Sequence, residues 1–428
     1  MAPRATSSPY SVAGAEWLTW PGTVQVFSAL SARGHEARAV GGAVRDTLLG
    51  RPVRDVDFAT DAPPEIVTNL AVSSGLKAIP TGIEHGTITV VADHRGFEVT
   101  TLRKDVETFG RRAKVAFTDD WAADAGRRDF TINALYADAD GTVFDPLGVI
   151  SDIDARHIRF IGEARDRVRE DFLRILRFFR FNAELEAQVF DEESLWACVQ
   201  ERGGLGGLSG ERVADELIRL LCARGVTSAL WKMYDYGLLV DVLRGVPNLN
   251  RLKRLVAIET ERSGSSDAVL RLGILGVSVA EDAERLAKNL RMSNADRGRL
   301  MQFSELPDVT METNDIDLAR ALYRYGLSGC RDAALKAWAA SRAPTSDTGW
   351  QQFISRVEEM PVPEFPLQGS DLIALGMAEG PAMGDLLRRL ETHWLERGTA
   401  ATKRALLDMA RGLIETSTGK TRKHNSDE

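Results

Sequence analysis

The chain has 428 residues, of which 44% are hydrophobic, and a formal net charge of −8. That length allows about two to four domains with separate cores, and no apolar run approaches the roughly 18 residues a membrane helix needs, so no membrane partner is expected. Three widely spaced cysteines (Cys198, Cys222 and Cys330) and six histidines without ligand spacing argue for a cytoplasmic setting and against a disulfide framework or zinc site.

Residues 1–20 read as a loose leader without the apolar stretch and cleavage site of a signal peptide, and 22–34 as a first amphipathic helix. From Glu36 to about Asp145 short β-branched runs alternate with turns. Strands are expected at 36–40, 53–58, 86–92, 96–102 and 131–138, and helices at 43–49 and 63–73. This is the texture of one mixed α/β domain.

Within it, the strand 36–40 breaks at Gly41-Gly42 and a helix follows to Gly50. Such an entry brings bare backbone N–H groups up to an anion, and Arg45 adds a fixed positive charge. A strand over 53–58 would put Asp55 and Asp57 side by side on one face. Two carboxylates held that close repel unless a cation lies between them, and hard oxygen ligands suit Mg²⁺. A phosphate cradle followed by a carboxylate pair describes nucleotidyl transfer; a glycine hinge beside a solvated acidic strand end is the plain alternative. Neither a Walker-type nor a Rossmann glycine pattern occurs.

Glu98 is an acid in an otherwise apolar, β-branched strand, and beside Asp55 and Asp57 it would complete a three-carboxylate metal site. The segment RRDFTINA (127–134) sets Arg128, Asp129 and Asn133 among strand formers. Arg128 can pair with a triphosphate, and Asp129 or Asn133 can hydrogen-bond a ribose hydroxyl; a charged strand start is the simpler reading.

Beyond about residue 165 the spacing is helical almost throughout. From Arg156 to Arg180 eight arginines face four acids, a local basic excess of the kind that binds phosphates despite the negative total. Over 169–181, REDFLRILRFFRF, one helix is expected with Phe172, Ile175, Leu176 and Phe179 on its core face. Leu173, Phe178 and Phe181 are interleaved with Asp171, Arg174, Arg177 and Arg180, so the helix is buried nearly all round. With few acids nearby in sequence, an anionic ligand is the economical partner for those arginines. Asp171 and Arg174, one turn apart, also match the amino donor and ring-nitrogen acceptor shared by cytosine and adenine, and mismatch uracil and guanine.

Taken together, AVGGAVRDTLLGRPVRDVDFAT (39–60), TGIEHGTITV (81–90), FEVTTLRKD (97–105), RRDFTINAL (127–135), the arginine-rich segment 169–181, GERVADEL (210–217) and the stretch 369–391 resemble the class II CCA-adding tRNA nucleotidyltransferase and poly(A) polymerase family of bacterial type. The resemblance implies an α+β fold: a nucleotidyltransferase head with a mixed five-stranded sheet over 36–150, after a leader and first helix over 1–35. A helical neck over 151–245 and a body and tail over 246–420, binding tRNA, would follow, with 421–428 disordered. It implies template-independent addition of C, C and A to the tRNA 3′ end from CTP and ATP with release of pyrophosphate; poly(A) synthesis, or partial addition, is the alternative on the same scaffold. An inactive RNA-binding protein is a third reading, opposed by the intact carboxylates.

By this resemblance Asp55 and Asp57 carry Mg²⁺, with Glu98 the third catalytic carboxylate. Gly42 and Arg45 touch the triphosphate, Arg128 and Asp129 hold phosphate and ribose, and Asp171 with Arg174 reads the base. Arg177 and Arg180 match further nucleotide contacts, and Glu211, Arg212 and the helix around Glu216 shape the neck beneath. The segment 105–126 keeps the length of the family's flexible loop, with Ala113-Lys114 where many members have His-Pro. The chain contains no His-Asp dipeptide, so the phosphohydrolase domain of some relatives is not expected.

Overall fold

The computed structural model describes residues 10–109 and 112–424, with backbone alone over 105–109, 112–115 and 416–424. The chain divides into two units, Met1–Arg244 and Gly245–Glu428. In the first, strands β1 (Ala37–Val40), β2 (Asp57–Thr60), β3 (Lys77–Gly82), β4 (Thr87–Ala92), β5 (Arg95–Thr101), β6 (Arg103–Phe109), β7 (Arg112–Phe117), β8 (Tyr136–Ala137) and β9 (Val143–Phe144) alternate with helices α1 (Pro21–Leu30), α2 (Gly42–Leu48), α3 (Pro64–Ser73) and α4 (Trp121–Gly126). Seven strands form one sheet in the order β3-β4-β5-β2-β1-β8-β9, and β6 pairs with β7 in a separate two-stranded sheet that begins at Arg103, two residues before the 105–126 segment. The sheet is mixed: β2 runs antiparallel to β1 and parallel to β5.

The sheet has seven strands where five were expected. The additional β3 carries Pro80 and Gly82 and lies at the edge, where a missing ladder donor is tolerated; the segment 131–138 is instead a 3₁₀ turn over Thr131–Asn133 followed by the two residues of β8. One face is closed by α1 and α3: Phe27 meets Phe58 edge-on at 4.8 Å, and Phe58 meets Phe97 at 6.0 Å. Val40, Ala59, Leu102, Ala125, Ala134 and Tyr136 form a second core on the other face. Between β4 and β5 the chain reverses in two residues, Asp93 and His94, both at positive φ (47° and 59°), the twist a two-residue hairpin requires. Residues 10–20 are not a loose leader, because Val12 and Trp17 are buried and Trp17 donates its indole N–H to Thr47 at 2.8 Å. Residues 1–9 lie outside the described residues.

After β9 the first unit is helical: α5 (Ser151–Asp154), α6 (Ala164–Glu170), α7 (Leu173–Glu184), α8 (Glu192–Gln200), α9 (Gly210–Cys222), α10 (Val226–Asp235) and α11 (Leu238–Leu243). Phe130 stacks on Phe160 at 4.7 Å and meets Phe181 edge-on at 5.4 Å, so an aromatic layer joins the sheet region to α7.

The second unit is helical among the described residues. Its longest helix, Asp315–Ala340, is kinked at Gly326 (φ 70°), and Trp338 stacks on Trp350 at 6.2 Å within its core. The last three helices pack Leu372, Leu386, Leu390, Trp394 and Leu406 into a core of their own. The final helix continues to His424, so helical backbone replaces the disorder expected from 421; 425–428 lie outside the described residues. No described helix is long and apolar enough to cross a membrane, and the three cysteines form no disulfide among the described residues.

Candidate active site

Strand β2 begins at Asp57, not at Val53. Asp55 therefore stands before the ladder in a stretch without regular secondary structure, and strand alternation does not fix its distance from Asp57. Asp57 itself is set by its neighbours: it pairs with Val40 on β1, and the parallel register Phe58↔Val99 places Glu98 beside it on β5. Phe58 and Val99 are fully buried on one face, so Asp57 and Glu98 emerge together on the other, both in contact with solvent. Glu98 is thus not the buried acid its strand suggested.

The surrounding protein desolvates the Asp57 carboxyl, and the charge of Glu98 adds to this. Against the opposing pull of Arg128, and with a smaller push from Asp55, its pKa is raised to about 6. Three carboxylates thus share one electrostatic neighbourhood, and their oxygens are the donors a hard cation takes. They do not close into a finished ligand cage: among the described residues no group of three or more His, Cys, Asp or Glu side chains is arranged to hold a metal.

The chain leaving β1 passes directly beside Asp57 through Gly41-Gly42. Gly41 sits at φ 69°, a conformation for which glycine is the default residue, and a side chain there would point toward Arg128 and the Asn133 carbonyl. Arg45, one turn into α2, is buried. It donates to Asn133 Oδ1 at 2.6 Å, pairs with Asp46 at 3.0 Å and lies 5.0 Å from the Phe181 ring centre. Arg128 is held by Asp124 Oδ2 at 3.0 Å and Tyr136 Oη at 3.2 Å, and the Tyr136 hydroxyl donates to the same Asp124 oxygen at 2.8 Å. Asp124 and Tyr136 escaped sequence reasoning, although the i,i+4 spacing of Asp124 and Arg128 was a signal for the first.

The helix expected over 169–181 is broken. α6 ends at Glu170, Asp171 is extended (φ −154°, ψ 104°) and α7 starts at Leu173. The arginines of α7 are also paired by the protein's own acids, which corrects the inference that an anionic ligand was needed to neutralise them. Arg174 is drawn to Glu170 and donates to the Arg167 carbonyl at 2.8 Å. Arg177 binds Asp129 and lies 3.5 Å from Glu216, and Arg180 binds Glu216 and Glu184. Asp171 is gripped by Arg212. The guanidinium groups of Arg45, Arg177 and Arg180 all lie within 5.4 Å of the Phe181 ring centre. Glu216, on α9, is the acid local sequence could not supply.

Asp129 is the hinge between the two halves of the site. It accepts from Asn133 Nδ2 at 3.0 Å and from Arg177 Nε at 2.8 Å. Burial alone would raise its pKa, but the Arg177 charge and these hydrogen bonds lower it to about 2. Because the folded value lies below the unfolded one, this group adds stability in full above about pH 4 and loses it as the pH falls toward 2. At about 1.4 kcal/mol per unit the effect is on the order of 2 kcal/mol. Urea unfolding from pH 5 to pH 2 is expected to show a shallower acid loss in Asp129→Asn than in the unsubstituted protein.

A cleft of about 860 Å³ has Gly42, Arg45, Asp55, Asp57 and Arg180 in its walls, together with Arg51, Arg54 and Arg219. Glu98, Arg128, Asp129, Asp171, Arg174 and Arg177 do not line it. Arg54 and Arg219, which sequence reasoning missed, make no side-chain hydrogen bond or ion pair among the described residues. The cleft therefore sets carboxylates able to gather a cation against arginines able to take phosphates, while Asp171 and Arg174, outside its walls, are a carboxylate acceptor and a guanidinium donor close enough for the Arg174 charge to lower the Asp171 pKa.

A model described as the Poly A polymerase head domain matches residues 37–159. The mitochondrial CCA tRNA nucleotidyltransferase 1 of Mus musculus is 34% identical over 378 residues, covering 87% of this chain and 86% of its own. The CCA-adding enzyme of Lactobacillus delbrueckii subsp. bulgaricus is 32% identical over 375 residues, covering 85% and 90%. The crystal structure of the Bacillus stearothermophilus CCA-adding enzyme in complex with CTP superimposes with a TM-score of 0.70 at 26% identity, over 94% of this chain and 98% of that one. Both units of the chain are matched, so the likeness extends beyond the sheet and its acids, and the chain belongs to the CCA-adding tRNA nucleotidyltransferase family.

Proposed function

We propose that this protein adds C, C and A to the 3′ end of tRNA from CTP and ATP without a nucleic-acid template. The observation that carries the reading is the Asp57–Glu98 pair, set side by side across the parallel β2–β5 ladder next to Gly41-Gly42. Mg²⁺ held by Asp55 and Asp57, with Glu98 alongside, would supply charge stabilisation and a more acidic attacking hydroxyl. The protein's own groups do the rest. Gly42 and Arg45 border the cleft where the triphosphate would lie, and Arg128, locked by Asp124 and Tyr136, directs its charge at the same region. Asp129, held by Arg177, would orient the ribose. The terminal ribose oxygen forms a bond to the α-phosphorus, the bond from that phosphorus to the bridging oxygen breaks, and pyrophosphate leaves with a proton released.

Base choice falls to Asp171 and Arg174. One nitrogen of Arg174 is tied back to Arg167 and Glu170, which leaves the others free to meet a ring-nitrogen acceptor. A carboxylate beside them accepts from an amino group. Uracil and guanine present a carbonyl and an N–H instead and would leave these groups unpaired. Three cysteines without a disulfide among the described residues accord with work in the cytoplasm.

The test uses tRNA lacking its 3′ end and each labelled nucleotide, alone and in combination. CTP alone should add two residues, ATP should add one only after them, and UTP and GTP should be refused. Long products made from ATP alone would replace this reading by poly(A) synthesis, the activity named for the head-domain family. Addition should weaken as salt rises at fixed subsaturating tRNA.

A further inference from the structure

Asp171 does not sit on a regular helix, and the structure shows what holds it off one. Arg212, near the start of α9, grips both its oxygens: Nη1 donates to Oδ1 at 3.1 Å and Nη2 to Oδ2 at 2.6 Å. The backbone N–H of Leu173 donates to Oδ1 at 3.2 Å. Next door, the Phe172 ring lies so close to the Gly204 backbone that a Cβ on residue 204 would come within 2.1 Å of it. The break between α6 and α7 is therefore pinned from two later elements.

An ionised carboxylate offers about four lone-pair directions. Arg212 and Leu173 occupy three of them, which leaves one, on Oδ2. A guanidinium fork fixes the plane of the carboxylate it binds as well as its position. Asp171 is thereby held as a single directional acceptor. Desolvation would raise its pKa, but the Arg212 hydrogen bonds, the Leu173 N–H and the charges of Arg212 and Arg174 together outweigh this and lower it, so it stays ionised and cannot act as a donor. A donor at this point is what the carbonyl of uracil or guanine would need.

We propose that Arg212 is the positioning residue that keeps Asp171 acceptor-only, and that nucleotide selectivity depends on this clamp as much as on Asp171 itself. The inference rests on the reading of Asp171 and Arg174 as the base-reading pair. Besides Arg212, the charged groups facing Asp171 are Arg174 and Arg177 on α7. Glu170 is turned to Arg167 and Arg174, and Arg202, beside Gly204, turns to the Tyr236 carbonyl and Asp241.

The test measures kcat/KM for CTP against UTP, and for ATP against GTP, on tRNA ending at the appropriate position. The full-length protein is compared with Arg212→Gln, Arg212→Lys and Asp171→Ala between pH 5.5 and 8. Arg212→Gln is expected to lower the CTP/UTP ratio by at least about tenfold, within the range lost when a polar recognition contact is removed. Its ratio should fall further toward acid pH, as Asp171 without the guanidinium takes up a proton, while that of the unsubstituted protein stays flat. Arg212→Lys keeps the charge without the fork and should recover part of the ratio. Unchanged selectivity in Arg212→Gln at every pH, with selectivity lost in Asp171→Ala, would overturn the clamp and leave the base-reading pair standing. Equal loss of rate for all four nucleotides with an unchanged ratio would reduce Arg212 to a structural role and also overturn it. Selectivity retained in Asp171→Ala would remove the base-reading assignment itself, and the clamp with it.

Discussion

Replacing Asp57 by Ala is expected to lower nucleotide incorporation by at least roughly 10³-fold while leaving tRNA binding within about twofold. The expectation follows from where the side chain stands. Asp57 heads β2 between β1 and β5, pairs with Val40, stands beside Glu98 and is coupled to the charges of Glu98, Asp55 and Arg128. A rate loss of that size corresponds to about 4 kcal/mol of lost transition-state stabilisation, within reach of a lost metal contact. Because burial and the neighbouring acids disfavour the charged form of Asp57, its removal should not destabilise the fold at neutral pH. The thermal midpoint should stay level or rise slightly. Single-turnover incorporation of labelled CTP, filter binding of tRNA and a melting curve on the same preparation decide the matter. Near-normal incorporation would remove Asp57 from the chemistry.

Glu216→Ala should be the most damaging substitution for stability. Glu216 is buried and shared by Arg177 and by Arg180, itself only 4% exposed. Removing it leaves Arg180 with Glu184 alone and Arg177 with Asp129 alone, in surroundings too dry to hydrate the freed donors. Breaking a buried pair by deleting one partner typically costs about 3–5 kcal/mol; the retained partners put this case near the lower end, about 3 kcal/mol. At roughly 2–4 °C per kcal/mol for a unit of this size, the first unit should melt clearly earlier, whereas the second unit, which lacks this network, should not. Denaturation followed by tryptophans of each unit separates the two. Nucleotide affinity should fall as well, since Arg177 also holds Asp129.

The sequence made the local elements legible where one pattern prevailed. β-Branched alternation announced β4 and β5, and Gly41-Gly42 marked the turn into α2. It did not show β3, because Pro80 and Gly82 read as a loop until an edge position makes them acceptable. Nor did it show the break at Asp171: neither Asp171 nor Phe172 is a helix breaker in type, and the forces that open the chain there come from Gly204 and Arg212, more than 30 residues later. The same distance hid the pairing of the α7 arginines. Counting nearby acids missed Glu216 because burial is settled by packing and not by proximity along the chain. The acidic residues were legible as a set, but their arrangement was not. Alternation placed Asp55 beside Asp57, whereas the partner fixed beside Asp57 by the sheet is Glu98, reached through a parallel pairing that no local pattern encodes.

That pairing gives the Asp93–His94 hairpin a role in heredity out of proportion to its chemistry. The side-chain period of a strand is two, so an insertion or deletion of one codon in this turn that shifted the ladder would turn Glu98 into the core and present Phe97 or Val99 beside Asp57. Surface loops are ordinarily where lineages accumulate length changes. Here the tip is constrained in frame by an acid four residues away, and length variation between descendants should collect at other bends of the sheet.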